Sequence, residues 1–296
     1  MDFLRLLEEI RNPAATALFK VFTLLAEEAV IIGTICLLYW CLDKALAYKT
    51  CFAYFISGLV VQALKITFRV PRPWIKDPSF QPVGEAIETA TGYSFPSGHT
   101  QSATALYGTL GTNTKRKAWR IFCFVSIAGV AFSRMYLGVH TPQDVLVSFS
   151  VSTLLIWGMN MVMHKAGEKL NMEVTALLLM GAAIAVMAYS ILLLKNGTIE
   201  LKYASDCCKA GGAGIGFSIG WYIERKYINF QERACSNIMQ VIKYVIGIGV
   251  ALGLKAGLKV VLGSTIPMDI IRYIIVILWI TAIYPVFIKK FFTKAA

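Results

Sequence analysis

Long apolar segments recur along this 296-residue chain and constrain its fold more than any other feature. A helix that crosses the hydrocarbon core of a bilayer needs about 20 predominantly apolar residues, and several segments reach that length. None shows the alternation of polar and apolar residues that strands of a membrane barrel require. We therefore expect an all-α, polytopic transmembrane helical bundle. The apolar segments are residues 21–42, 51–64, 97–111, 118–137, 143–163, 174–194, 210–223, 236–262 and 270–288.

The first apolar segment is interrupted by Glu27 and Glu28, which leaves a clean stretch only over residues 29–41. The pattern predicts nine spans if this segment crosses the bilayer and eight if it does not. An acidic residue inside a span is a candidate for function, whereas one at the membrane interface is structural. For these two glutamates the structural interpretation is favoured.

The charge of the chain needs an explanation in a protein of this composition. Hydrophobic residues make up 57% and charged residues 16%, which excludes a disordered chain and a nucleic-acid-binding tail protein, so no nucleic-acid partner is expected. Yet 29 lysines and arginines face 17 acidic residues, and the net charge is +12. Cytoplasmic loops, an anionic lipid surface and an anionic substrate are the three alternatives.

Basic loops predict the orientation of the bundle. Residues 113–120 carry four cations and no acid, and residues 289–296 carry three cations. By the positive-inside tendency, these segments face the cytoplasm. We expect an integral protein of a bacterial cytoplasmic (inner or plasma) membrane, with any site at the opposite span ends facing the extracytoplasmic side.

Three polar clusters lie at those opposite ends. Residues 65–73 (KITFRVPRP) end the second span, residues 93–100 (YSFPSGHT) open the third, and residues 133–144 (SRMYLGVHTPQD) join the fourth to the fifth. Because successive spans alternate in direction, all three clusters should meet at one membrane face.

The cations of these clusters predict a phosphate site. Lys65, Arg72 and Arg134 would repel each other at one depth unless an anion of high charge lay among them. Arginine presents a planar fork that suits phosphate oxygens, and lysine adds a point charge. Ser97 and Gly98 precede an apolar helix, whose first N–H groups are a further anion site; Ser97 can cap the helix, and Gly98 lets the backbone approach closely.

The histidines of the second and third clusters predict catalysis. Thr141 and Pro142 fit the first positions of a helix, with Asp144 one turn inside it. Asp144 can then fix the tautomer of His140 and stabilise its cationic form. His140 is a candidate nucleophile toward phosphorus, and His99 is a candidate acid that protonates the leaving alkoxide and later activates water.

The three clusters resemble the motifs K-x6-R-P, P-S-G-H and S-R-x5-H-x3-D of the type 2 phosphatidic acid phosphatase (PAP2) superfamily. All eleven motif positions are matched, and the resemblance covers residues 28–165. Within the superfamily, the chain is similar to the membrane-bound lipid phosphate phosphatases. The usual membrane members have about six spans, whereas this chain continues well past the motifs.

The resemblance implies a role for each motif residue. His140 corresponds to the nucleophile, Asp144 to its relay partner and His99 to the general acid. It also implies a phosphohistidine intermediate and no metal or other cofactor; the sequence likewise offers no acidic or histidine cluster that would hold two metal ions. The implied phosphate-binding residues are Lys65, Arg72, Ser97, Gly98 and Arg134.

Residues beside and beyond the motifs leave the substrate open. Arg69, Trp74 and Lys76 either line an entrance for a lipid headgroup or act as loop charges and an interfacial anchor. We divide the chain into an amphipathic segment (1–20), a catalytic transmembrane core (21–165) and additional transmembrane helices (173–296). These last helices complete the bundle, shape a lipid entrance or mediate homo-oligomerisation.

The glycines at positions 212, 216 and 220 repeat at intervals of four within an apolar run. No strand precedes them, so a nucleotide-binding loop is disfavoured. The spacing is typical of helices that pack closely in a membrane.

Together, these features predict a metal-independent phosphatase that acts on a lipid phosphate or pyrophosphate. Candidate substrates are undecaprenyl pyrophosphate, phosphatidate, phosphatidylglycerophosphate and sphingoid phosphates. A lipid phosphotransferase would use the same intermediate with a hydroxyl acceptor instead of water. A lipid transporter or scaffold that works through residues 173–296 is a third and less favoured alternative.

Overall fold

The computed structural model describes residues 1–166, 171–233 and 235–292, and residues 163–166 through their backbone only. The described residues form helices and no strand, which confirms the all-α prediction. The end of the predicted basic tail, residues 293–296, lies outside the described residues. The helices, in chain order, are α1 (Asp2–Glu9), α2 (Pro13–Leu24), α3 (Glu28–Leu37), α4 (Lys44–Phe68), α5 (Pro73–Lys76), α6 (Gly84–Glu88), α7 (Gly98–Ala103), α8 (Thr109–Asn113), α9 (Lys117–Tyr136), α10 (Pro142–Ala166), α11 (Met172–Lys195), α12 (Leu201–Ile223), α13 (Asn237–Leu262), α14 (Ile266–Leu278) and α15 (Tyr284–Phe291).

Six segments of the described chain are long and apolar enough to cross a membrane, and a seventh results if α2 and α3, which meet at 45°, form one span. The sequence predicted eight or nine. The segment 97–111 is helical but too short for this criterion. The segment 210–223 belongs to α12, in which Lys202, Asp206 and Lys209 dilute the apolar character.

The helices divide between two units, of which the first comprises Met1–Ile32 and Phe52–Met161. In this unit α7 and α8, joined by the π-helical turn Thr104–Gly108, pack along α9. A Cβ atom on Gly111 of α8 would lie 3.1 Å from the Cβ of Cys123 in α9. The short 98–113 segment therefore lies against α9.

The end of α4 separates two cations of the first polar cluster. Arg69 follows the helix with φ of 49°, in the left-handed region that side chains rarely adopt. The residue before Pro71 is biased toward an extended conformation, which prevents the helix from continuing. The chain consequently leaves the helix between Lys65, on its last turn, and Arg72.

A buried apolar cluster supports this end of the first unit. Leu4 and Leu7 of α1 pack with Phe80 from the loop after α5 and with Tyr136 and Leu137 at the end of α9. All five side chains are at most 2% exposed. The amphipathic α1 thus covers the chain segments that carry the polar clusters.

The second unit comprises Gly33–Cys51 and Val162–Ala296, and its described part is organised around α12. Helix α12 packs against α11 and α14. A Cβ atom on Gly212 would lie 2.8 Å from the carbonyl oxygen of Ile270, and one on Gly216 would lie 2.9 Å from that of Ile274. The predicted role of these glycines in close helix packing is confirmed.

The contact between α12 and α14 makes a prediction about stability. We expect Gly216→Val to lower the melting temperature of the detergent-solubilised protein, because the new side chain meets backbone atoms that cannot yield; overpacking of this kind costs about 1–3 kcal/mol. Gly181→Val is the matched control, since a Cβ there meets nothing within 4 Å. Equal melting temperatures for the two variants, measured by thermal unfolding, would contradict this packing.

Candidate active site

The three polar clusters meet through main-chain hydrogen bonds at one end of the first unit. The N–H of Ser94 donates to the carbonyl of Val70 at 2.8 Å, which joins the first cluster to the second. The N–H of Ser97 donates to the carbonyl of Asp144 at 3.0 Å, which joins the second to the third. The convergence expected from alternating helix directions is present in the structure.

Lys65 and Arg72 are both buried, with 7% and 5% of their surfaces exposed, and they bind carbonyls of neighbouring loop residues. Lys65 Nζ donates to the carbonyl of Tyr93 at 2.6 Å. Arg72 Nε donates to the carbonyl of Gly92 at 2.8 Å, and its Nη1 donates to that of Val139 at 2.9 Å. Neutral main-chain carbonyls are thus among the partners that hold both cations in place.

Arg134 is fully buried and has hydroxyl partners. Its Nη1 donates to Thr23 Oγ1 at 2.6 Å and its Nη2 to Thr89 Oγ1 at 3.5 Å. Its Nε is buried with no hydrogen-bond partner, and within the described residues no carboxylate lies at ion-pair distance from the guanidinium. A buried charge without an opposite charge beside it costs several kcal/mol, so the site favours an anion.

Helix α7 begins at the second cluster. Ser97 is the N-cap, and its Oγ accepts from the N–H of Thr100 at 3.4 Å, as one of the two predicted roles requires. A Cβ on Gly98 would meet no heavy atom within 4 Å, so the space at this helix start is open to a ligand. The N–H groups of the first turn are a site that suits phosphate oxygens.

Asp144 is held at the start of α10, which begins at Pro142 as predicted. Its Oδ2 accepts from Ser94 Oγ at 2.6 Å and from the N–H of Thr141 at 2.8 Å. The same Oδ2 lies 3.4 Å from Nδ1 of His140, an ion-pair distance that does not meet hydrogen-bond geometry. The carboxylate is therefore fixed in direction beside the imidazole.

His140 is 1% exposed and faces a cation as well as a carboxylate. Its Nε2 lies 3.0 Å from Arg72 Nη1, and because arginine can only donate, Nε2 carries the lone pair. The proton then belongs to Nδ1, on the side of Asp144. Burial, reinforced by the charge of Arg72, holds the pKa of His140 well below its usual value. A neutral imidazole with Nε2 free of a proton is the form that attacks phosphorus.

His99, the first side chain of α7 after Gly98, pairs with a residue outside the motifs. Its Nε2 lies 3.1 Å from Oε1 of Glu27, and the two side chains are 14% and 28% exposed. The sequence interpretation favoured a structural role for this glutamate. The one available signal was the interruption of an apolar segment by an acid.

The flanking residues lie at the border of the site. Arg69 is exposed, and its Nη1 donates to the carbonyl of Ile66 at 2.9 Å. Trp74 is half-buried, with the Arg72 guanidinium 5.9 Å from its ring centre. Lys76 is exposed. Their part in a lipid entrance stays a prediction, as do the catalytic and phosphate-binding roles of the motif residues.

Known proteins with sequences similar to this chain are named as phosphatases of lipid substrates. The chain is 25% identical over 224 residues to sphingosine-1-phosphate phosphatase 2 of Mus musculus, which covers 72% of this chain and 60% of that protein. It is 33% identical over 101 residues to the undecaprenyl-diphosphatase BcrC of Bacillus subtilis, covering 34% and 49%. It is 31% identical over 110 residues to phosphatidylglycerophosphatase B of the same organism, covering 33% and 52%.

The matched region spans about two fifths to three fifths of the curated relatives' own length. No solved structure matches the chain significantly. Two family models match different parts of the chain: the PAP2 superfamily over residues 46–168, and the transmembrane extension of PAP2 superfamily phosphatases over residues 208–296. With its motifs, helical fold and both matches, this chain belongs to the PAP2 superfamily.

Proposed function

We propose that this protein is an integral membrane phosphatase that hydrolyses a lipid phosphate or pyrophosphate through a phosphohistidine, without a metal. The observation that carries the proposal is the environment of His140, a buried imidazole whose Nε2 faces Arg72. Lys65 and Arg134 supply two further buried cations. A phosphate among these groups would neutralise them and present phosphorus to the nitrogen lone pair.

In the first step, Nε2 of His140 attacks phosphorus and the bond from phosphorus to the lipid oxygen breaks. The leaving oxygen takes a proton from His99 and departs as an alcohol, or as a phosphate when the substrate is a pyrophosphate. Asp144 stabilises the positive imidazole that forms when Nε2 becomes bonded to phosphorus. Lys65, Arg72, Arg134 and the first N–H groups of α7 balance the charge that develops on the phosphoryl oxygens.

In the second step, water attacks the phosphoryl group and the bond from phosphorus to nitrogen breaks. His99, now without its proton, accepts one from the water and returns to its starting state. Inorganic phosphate leaves, and His140 regains its lone pair. A lipid hydroxyl in place of water would give phosphotransfer by the same route, which product analysis distinguishes from hydrolysis.

The lipid is proposed to reach the site from the extracytoplasmic leaflet of a bacterial cytoplasmic membrane. The basic loop 113–120 supports this orientation, because it lies at the far end of α9 from Arg134 and is expected in the cytoplasm. The exposed Arg69 and Lys76 would attract an anionic headgroup, and Trp74 would lie at the interface. Undecaprenyl pyrophosphate, phosphatidylglycerophosphate and sphingoid phosphates are the preferred candidates, since similar proteins are named for them; phosphatidate remains a fourth.

Activity is predicted to be independent of metal ions and to require His140. We expect the purified protein to release phosphate from at least one lipid of this panel in excess EDTA, and His140→Asn to lower turnover by roughly a thousandfold or more. Release of phosphate into detergent micelles measures both. Complete loss of activity in EDTA, or undiminished turnover in His140→Asn, would contradict the mechanism.

A variant at His99 is predicted to trap the intermediate. With 4-nitrophenyl phosphate, whose leaving group needs no protonation, His99→Asn should still be phosphorylated but hydrolyse slowly, because the attacking water lacks its base. A general acid–base contributes about 10²- to 10⁴-fold. We expect protein-bound phosphate that is labile in acid and stable in alkali, as a bond between phosphorus and nitrogen requires.

The double variant His99→Asn/His140→Asn is the control for this trap, and it should retain no label. A label that persists in the double variant, or that is stable in acid, would place the intermediate on a different residue.

A further inference from the structure

Three contacts join the bend between α2 and α3 to the helices of the candidate site. Arg134 Nη1 donates to Thr23 Oγ1 at 2.6 Å, in the last turn of α2. Tyr107 Oη, from the turn that follows α7, donates to the carbonyl of Leu25 at 3.0 Å. Glu27 Oε1 lies 3.1 Å from His99 Nε2. The bend is therefore tied to the same helices that carry the candidate acid and one phosphate-binding cation.

The position of Glu27 depends on this bend. Helix α2 ends at Leu24, α3 begins at Glu28, and their axes meet at 45°. The carbonyl of Glu27 accepts from the N–H of Ile31 at 3.0 Å, so this residue directly precedes the first turn of α3. The two helices do not continue as one straight helix here. At the bend, the carboxylate of Glu27 lies against His99 of α7.

The electrostatic surroundings of His99 make such a carboxylate useful. Arg134 on α9 and Arg72 after α4 act on this imidazole as positive charges, and Glu27 between α2 and α3 acts as a negative one. Burial, followed by the charges of these two cations, holds the pKa of His99 below its usual value, and Glu27 acts in the opposite direction. A general acid must carry a proton before the leaving group departs, so a group that favours the protonated imidazole is useful here. Among the charges that act on His99, the carboxylate is the group that favours the protonated form.

We propose that Glu27 is a positioning residue that orients His99 and favours the protonated form of the imidazole from which the leaving oxygen takes its proton. The inference rests on the proposed function and adds to it a residue outside the three motifs. With Nε2 engaged by the carboxylate, Nδ1 is the ring atom that donates to the leaving oxygen. Glu27 itself touches neither phosphorus nor the leaving group.

The test compares the pH dependence of kcat/KM for Glu27→Gln and for the wild type on one lipid phosphate. Removal of an opposite charge at this distance should move the alkaline limb to lower pH by about one unit or more, because the imidazole then loses its proton sooner. Titration of the substrate is common to both proteins and cancels in the comparison. Glu27→Asp, which keeps the charge, should recover most of the wild-type profile.

Glu28→Gln is the matched control, since Glu28 is the adjacent acid and is exposed; its profile should equal that of the wild type. Melting temperatures of all variants report on folding, and Glu27→Ala carries the same prediction if Glu27→Gln does not fold. The role of Glu27 is overturned if the alkaline limb of the kcat/KM profile is unchanged in the folded Glu27→Gln variant. It is also overturned if kcat/KM falls equally at every pH and Glu27→Asp does not recover it. An inactive wild type would instead contradict the proposed function.

Discussion

Burial of positive charge without an equal amount of negative charge is the constraint on which the rest of the active end depends. Lys65, Arg72 and Arg134 are each at most 7% exposed. Within the part of the chain that the structure describes, the carboxylates of Asp144 and Glu27 lie against His140 and His99. Among these five groups the cations outnumber the carboxylates, so the site favours an anionic phosphate. Stability gained elsewhere in the fold must offset the cost of holding these cations in place before a ligand binds.

The backbone meets that constraint at helix ends and breaks. Carbonyls of Tyr93, Gly92 and Val139 accept from the cations, and all three belong to chain segments that lie outside the helices. Carbonyls inside a helix are already engaged with N–H groups four residues on, so loops are the natural source of acceptors. The same loops end at Ser97 and Thr141, whose hydroxyl groups accept from N–H groups in the first turns of the helices that begin there.

Much of this arrangement follows from the sequence, because motif positions and helix starts are local properties. Ser97 as a cap and Pro142 as a first helical residue need only the residues around them. The meeting of the clusters needs only that helices alternate in direction. The number of spans was harder to predict. Residues 98–113 form a helical segment that is shorter than a membrane span but still packs along α9.

Glu27 shows where local reasoning stops. A glutamate in a break of an apolar segment has the same sequence signature whether it lies at the interface or reaches a histidine of the candidate site. Its partner His99 is 72 positions away, and the contact depends on the 45° bend between α2 and α3 and on the packing of α2 against α9. That geometry is set by side-chain packing among several helices, such as the contact of Tyr107 with Leu25.

The central claim is that the cations hold a phosphoryl group against His140, and an experimental structure with orthovanadate tests it most directly. Vanadate adopts the five-coordinate geometry that phosphorus passes through during transfer. The account predicts vanadium bonded to Nε2 of His140, with its oxygens contacted by Lys65, Arg72 and Arg134 and with His99 on the opposite side. Vanadate bonded to another side chain, or bound away from these cations, would contradict it.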